Sequence, residues 1–224
     1  MIIAIIPVKE KSERVINKNF KVFYKGLSLL EYKIEQLIKI KTIDRIIISS
    51  NSKKAKKIAT KYKIEFVNRP DYYCDNKVSW SEVIEYVITS IKKTKGNEII
   101  MWCHTTSPLF SDYNKGIKLF LKSEKKGFDS LVSVNEFNEF LLDANANPIN
   151  YNWGPWHKYS QNLKSNYFTV NGALFIARKS TYQYLKYVIG KNPIMMKTKK
   201  QNSLDIDNNI DFNYAKFLVE NDKK

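Results

Sequence analysis

An apolar run at residues 2–7 empties into Lys9, Ser12, Arg14, Lys18 and Asn19. Together these supply two ammonium point charges, a hydroxyl, an amide and a planar fork of guanidinium donors. Such a set suits a polyphosphate, because fork geometry and point charge neutralise clustered oxygens together. Arginine is scarce in this chain: only Arg14, Arg45, Arg69 and Arg178 interrupt a basic set otherwise made of lysine. Arg14 and Arg69 each follow an apolar run, where planar, bidentate contact is the use that lysine cannot cover. Towards the other end, Asp205 and Asp207 stand two apart on a segment that reads as extended, so both side chains project to one side. Two such carboxylates, with phosphate oxygens, suit a hard cation such as Mg²⁺. The competing use of this segment is a helix cap, by Asp207 or Asn208. A further run, at 98–103, ends in His104-Thr105-Thr106-Ser107-Pro108. A neutral imidazole at His104 brings one donor and one acceptor.

These residues need a scaffold that gathers run-ends together. Short apolar runs at 2–7, 44–49, 64–67, 98–103 and 130–134 read as buried strands. Between them, residues 29–40, 52–62, 79–92 and 111–123 carry apolar side chains at helical spacing, with Ser52 as a candidate cap. Strand and helix alternate every 20–30 residues, which predicts an α/β fold: a Rossmann-like three-layer sandwich on a mostly parallel sheet. A strand at 167–177 and helices at 181–188 and 211–220 complete it. In open sheets of this kind ligands bind beyond the carboxyl ends of the strands. Four ends are polar: 9–19, Ser50-Asn51, Arg69-Pro70 and 104–108. The rhythm breaks at about 135–166, which holds Pro148, Trp153, Pro155, Trp156 and His157 and reads as an excursion from the sheet.

The length of 224 residues predicts a single domain, 1–224. No apolar stretch reaches ~18 residues, and the first residues lack a basic leader and a cleavage site. Cys74 and Cys103 form no CxxC pair, so a cytoplasmic protein with reduced thiols and no membrane partner is expected. The net charge of +16 raises the question of a nucleic-acid partner. The lysines recur singly and in pairs from Lys9 to Lys224 without a dominant block. Solvated lysine faces account for the charge; a small anionic ligand fits, and no nucleic acid is expected.

The stretch from Pro7 to Asn19, PVKEKSERVINKN, resembles the motif P-A-R-G-G-S-K-R-x-P-x-K-N of the acylneuraminate cytidylyltransferases, the CMP-sialic acid synthetases. Further matches follow in the same order: Arg69-Pro70 with Asp75 and Ser79, Thr106-Ser107-Pro108-Leu109, residues 129–134 (DSLVSV), residues 171–176 (NGALFI), and Asp205-Ile206-Asp207 with Asp211-Phe212. They span residues 2–217. The chain departs from the family where Lys9 replaces Arg, Glu10-Lys11 replaces Gly-Gly, Ile16 replaces Pro, His104 replaces Gln and Phe110 replaces Arg. The resemblance implies transfer of CMP from CTP to an acid such as a sialic acid, with release of pyrophosphate. Other acids, namely Kdo, pseudaminic acid, legionaminic acid or a non-sugar acid or phosphonate, are alternative acceptors. By resemblance, Lys9, Ser12, Arg14 and Lys18 hold the triphosphate, and Asn19, Arg69 and Ser79 hold the cytidine. His104, Tyr167, Phe168 and Asn171 face a small acidic acceptor, and Asp205 and Asp207 hold Mg²⁺. Lys18, Arg14 and Asp207 form the catalytic set. The resemblance also implies a homodimer formed through the excursion. Without it, the aromatics there would suit a basic nucleic-acid or anion-binding module.

Overall fold

Strand β1, Ile2–Pro7, is buried along nearly its whole length. It alternates between two cores: Ile2, Ala4 and Ile6 face one, Ile3 and Ile5 the other. That double burial explains why the run is apolar throughout rather than at every second residue. The computed structural model describes residues 1–163 and 167–221. Among them, β4 (Arg45–Ser50), β5 (Glu65–Asn68), β6 (Ile99–Trp102), β7 (Ser130–Glu136), β8 (Phe168–Arg178) and β9 (Pro193–Lys197) join β1 in one sheet. Its order is β5-β4-β1-β6-β8-β7-β9. The pairings β5–β4, β4–β1, β1–β6 and β7–β9 are parallel, while β8 runs antiparallel to both its neighbours. The expected three-layer α/β sandwich on a mostly parallel sheet is therefore present.

Helices α1 (Leu29–Ile38), α2 (Lys53–Lys61) and α4 (Tyr113–Glu124) cover one face. Helices α3 (Trp80–Ser90) and α5 (Lys179–Leu185) cover the other. Three caps are built by serines: Ser28 with Glu31, Ser79 with Glu82, and Ser52, whose hydroxyl accepts from the Lys54 and Ala55 amides. Each serves amide groups that have no partner within the helix. Gly116 lets α4 lie close on β8; a Cβ there would meet a Leu174 methyl at 2.6 Å. No helix among the described residues is long and apolar enough to cross a membrane.

Three features differ from the sequence reading. A small hairpin, β2 (Val22–Tyr24) with β3 (Leu27–Ser28), was not expected because its strands are too short to show a period. Edge strand β9 was also not expected; it begins at Pro193, a position where a missing ladder donor is tolerated. The excursion starts after Glu136 rather than at 135, because β7 runs on through Asn135 to pair with Thr169. It contains a bridge between Leu142 and Pro148 and short 3-10 turns at Gly154–Trp156 and Ser160–Asn162. Its expected last residues, 164–166, lie outside the described ones.

A third, smaller core matters most for the site. Helix α6 (Asn209–Asn221) packs Phe212 and Ala215 against Phe23 of the hairpin, Leu29, Val15 and Ile206. Val15 belongs to the loop after β1, and Ile206 stands between the two aspartates. Full burial of a side chain such as Ile206 contributes about 1.5–3 kcal/mol. One apolar cluster thereby holds the cationic loop and the carboxylate segment side by side.

Candidate active site

The exits of β1, β5 and β6 and the first turn of α3 surround a cavity of about 540 Å³. Lys9, Ser12, Arg14, Lys18, Asn19 and Arg69 line it, as do Tyr73, Asp75, Asn76, Trp80 and His104. Neither Glu10 nor Lys11, which replace the family's glycines, takes a positive φ; the left-handed residue in this loop is Asn17, at φ 54°. The loop is secured by other means. The Glu10 amide donates to Asn51 Oδ1 at 2.9 Å, and Asn51 donates in turn to Asp71. Lys9 donates to Asn76, whose amide donates to Glu13 at 2.6 Å.

Several of the cations already have partners. Arg69 is buried, its Nη2 donating to the Val8 carbonyl at 2.8 Å and its Nε to Cys74 Sγ at 3.2 Å, so it ties the β1 exit to the β5 exit. Asn19 is buried too; its Oδ1 accepts from the Thr105 hydroxyl at 2.7 Å. Arg14 is exposed and pairs with Asp207 at 2.8 Å. Lys18 donates to the Ile206 carbonyl at 2.6 Å. Burial lowers the Lys18 pKa, opposed by the Asp205 charge, while Arg14 lowers it further.

The carboxylate segment behaves as its spacing predicts. Ile206 points inward, its amide donating to the Thr106 carbonyl at 2.8 Å, and Asp205 and Asp207 face the other way, both close enough to act on the Lys18 charge. Asn208, not Asp207, caps α6, accepting from the Ile210 and Asp211 amides. Surrounding protein raises the Asp205 pKa by desolvation; a Thr106 hydrogen bond opposes this and the Asp207 charge adds to it. A carboxylate whose ionisation is opposed by burial and by a neighbouring carboxylate is a donor that a divalent cation relieves. No cluster of three or more such ligands occurs among the described residues. The protein would supply two carboxylates, leaving the rest of a Mg²⁺ shell to phosphate and water.

A second cavity, of about 400 Å³, shares Trp80 and His104 with the first. Asp205, Lys200, Asn135, Asn171 and Ser203 give its polar wall; Val170, Phe175 and Leu204 give its apolar wall. It owes its shape to a break in β8. The β7–β8 register shifts between Val132 and Val134, and Gly172 takes φ 71° there, a conformation glycine adopts without a steric penalty. Ser133 donates to Asn171 Oδ1 at 2.7 Å, and Asn171 Nδ2 donates to Thr198 at 2.7 Å. Asn171 thus lines the cavity with its amide already engaged at both ends.

Three expected placements are not met at either cavity: Asp207 lines neither and reaches the larger one only through its pairing with Arg14, and two further groups lie elsewhere. Ser79 caps α3, donating to Glu82 at 2.7 Å, and the residue that lines both cavities is its neighbour Trp80. Tyr167 borders a separate hollow with Trp156 in the excursion, and Phe168 packs beneath Lys197, 5.0 Å from the ring centroid. Trp80, Asn135, Lys200 and Ser203 were not singled out from the sequence. Trp80 carried a signal, since it directly follows a capping serine; the other three reach the site from strand ends and turns remote in sequence.

A family model described as cytidylyltransferase matches residues 3–222. The chain belongs to this cytidylyltransferase family. It is 28% identical over 221 residues to the N-acylneuraminate cytidylyltransferase of Escherichia coli O18:K1:H7, covering 96% of this chain and 51% of that protein. It therefore spans about half the length of that relative. The pseudaminic acid cytidylyltransferase of Campylobacter jejuni serotype O:2 is 23% identical, with 97% of this chain and 96% of that protein covered. Among solved structures, a CMP:2-keto-3-deoxy-manno-octonic acid synthetase complexed with CTP superposes with a TM-score of 0.65 at 8% identity, over 98% of each chain. The 2-C-methyl-D-erythritol 4-phosphate cytidylyltransferase of Francisella tularensis gives 0.66 at 13% identity, over 96% of this chain and 98% of that one. At these identities the likeness is one of fold.

Proposed function

We propose that the chain transfers CMP from CTP to an acidic sugar of the nonulosonic class, releasing pyrophosphate. The observation that carries this reading is the meeting of two cavities at Trp80 and His104, with Lys18 and Arg14 lining the larger, Asp205 lining the smaller and Asp207 paired with Arg14. The larger cavity has the cations a triphosphate needs. The smaller has hydroxyls, from Thr169 and Ser203, and a single lysine, which suit a polyhydroxylated acid.

The acceptor hydroxyl attacks the α-phosphorus of CTP in line, and the bond to the β-phosphate oxygen breaks. In such reactions positioning and charge neutralisation supply most of the rate. Lys9, Ser12, Arg14 and Lys18 hold the triphosphate tail, with Arg14 exchanging Asp207 for phosphate. Asn19 and Arg69 set the nucleoside wall. Asp205 and Asp207 would hold Mg²⁺, which when bound neutralises phosphate charge and acidifies the attacking hydroxyl. Two free cysteines, Cys74 and Cys103, suit the reducing cytoplasm.

The excursion presents Trp153, Trp156, Tyr159 and Leu142 to solvent. Exposed aromatics of this kind are the residues that contacts between subunits use, and they support a homodimer. Trp156→Ser would then lower the mass seen by sedimentation at micromolar concentration; a wild type that sediments as a monomer removes the dimer.

The test of activity is pyrophosphate release from each of the four nucleoside triphosphates with Mg²⁺ and a panel of acids: a sialic acid, pseudaminic acid, legionaminic acid and Kdo. Release with CTP and a nonulosonic acid is expected. Equal release with all four nucleotides, or none with any acid, overturns the reading.

A further inference from the structure

Trp102 is buried at the exit of β6, stacked near Tyr182 with ring centroids 6.5 Å apart. Its indole Nε1–H donates to His104 Nε2 at 2.9 Å. An indole nitrogen has no lone pair to offer, so the histidine nitrogen facing it is the unprotonated one. The proton of the neutral ring is thereby fixed on Nδ1. The ring is neutral near pH 7, because burial, helped by the Lys33 and Lys18 charges, pushes its pKa down to about 4. Trp80 and Phe175 stand 6.4 and 6.2 Å from it, centroid to centroid, and restrict its tilt. His104 lines both cavities, and its Nδ1–H has no hydrogen-bond partner among the described residues.

We propose that Trp102 is a positioning residue that fixes His104 as a one-way hydrogen-bond donor, and that His104 Nδ1–H receives the carboxylate of the acid acceptor where the two cavities meet. The proposal rests on the cytidylyltransferase reading above for its ligand, though not for its tautomer. A donor with no acceptor function takes any oxygen with a free lone pair, and a carboxylate offers the strongest such contact. The acceptor's position follows from the reaction. In a 2-keto acid closed to its ring form, the attacking hydroxyl and the carboxylate sit on the same carbon. A hydroxyl brought to the α-phosphorus at the junction carries its carboxylate there with it. Lys33, fully buried behind this turn and donating to the Ser107 carbonyl at 2.8 Å, adds a positive field on the same side. The same geometry excludes His104 as the base: Nε2 is engaged and Nδ1 already holds a proton.

The chain has two histidines, His104 and His157, so ¹⁵N-labelled imidazoles can be assigned with a His157→Asn variant. At pH 7 the wild-type His104 is expected to show a protonated Nδ1 and an unprotonated Nε2. Trp102→Phe removes the indole donor; the Nε2–H tautomer should then appear, with the acceptor KM rising roughly tenfold while the CTP KM changes less than about twofold. His104→Asn sets an amide N–H near the place of Nδ1–H and should raise the acceptor KM less than His104→Leu, which has none. A wild-type Nε2–H or imidazolium signal at pH 7 overturns the proposal, as does a Trp102→Phe enzyme whose tautomer changes and whose acceptor KM does not. Should Trp102→Phe fail to fold, the wild-type spectrum and an equal KM for the two His104 variants still decide it. If no acid is turned over, the functional reading falls and the acceptor contact with it, while the spectrum alone decides the part played by Trp102.

Discussion

The larger cavity takes its walls from the exits of parallel strands, each followed at once by its polar residues: Lys9 to Asn19 after β1, Arg69 after β5, His104 to Thr106 after β6. The smaller cavity takes Asn135 from one strand, Asn171 and Phe175 from a bulged antiparallel strand, and Lys200 to Asp205 from the turn before α6. The two differ in charge as well. Four cations line the first; Lys200 is the cation on the second, and its Nζ lies 3.2 Å from Glu139. A crevice at parallel strand ends is a general device for anionic groups, and its residues follow their strands directly. A cavity beside an antiparallel insertion is shaped by the particular bulge and turn, and under the proposed function it is the wall that would choose the acceptor.

Removing charge from the segment between the cavities should have the largest effect. Asp205→Asn or Asp207→Asn is expected to lower turnover at least about a hundredfold at saturating CTP and acceptor, with the melting temperature little changed. Full turnover in both variants eliminates the metal pair. Losing Asp207 also frees Arg14, so CTP affinity measured without metal should hold or rise in that variant.

On the larger cavity alone, Arg14→Ala and Lys18→Ala should each weaken CTP binding roughly ten- to a hundredfold, from about 1.5–3 kcal/mol per charge-assisted contact. Isothermal titration with CMP should show a smaller loss. Equal losses for CMP and CTP would mean that the loop does not read the β- and γ-phosphates.

Lys33 is buried beneath the turn after β6, donating to the Ser107 carbonyl and, at 2.6 Å, to the Tyr113 hydroxyl. Burial lowers its pKa to about 8 from an ordinary 10.5. Between these values the unfolded chain binds more protons than the folded one, so the Lys33 contribution to stability rises with pH across that window; below about pH 8 its cost is constant. Relative to Lys33→Met, the wild type should therefore gain about 2 kcal/mol between pH 7 and pH 10 in urea unfolding. A pH-independent difference would show that the ammonium is not desolvated.

The smallest effect is expected at the far end of the sheet. Arg45 holds Glu65 through two contacts of 2.6 Å, where β4 begins. Arg45→Ala should leave CTP affinity unchanged and cost no more than about 1 kcal/mol of stability. A loss of nucleotide affinity there would blur the distinction between charge at the crevice and charge elsewhere.

Most of the buried strands, the helices between them and the Ser52 cap were legible in the residues, because burial on two faces demands an unbroken apolar run and a helix demands its own period. The cationic loop and the aspartate pair were legible for a related reason: a scarce arginine marks the loop after β1, and the two-residue spacing of the aspartates survives without knowledge of neighbours. Tertiary structure decided the rest. Nothing local announces that Val15 and Ile206 share a core, yet that packing, across nearly two hundred residues, brings Lys18 to the aspartates. Trp80 lines the cavities where Ser79 was expected, because a cap uses its hydroxyl on its own helix. The amide of Asn171 is consumed by Ser133 and Thr198, and the proton of His104 is directed by Trp102. Sequence specifies which groups a residue carries; only the packed fold determines which of their donors and lone pairs are left over for a ligand.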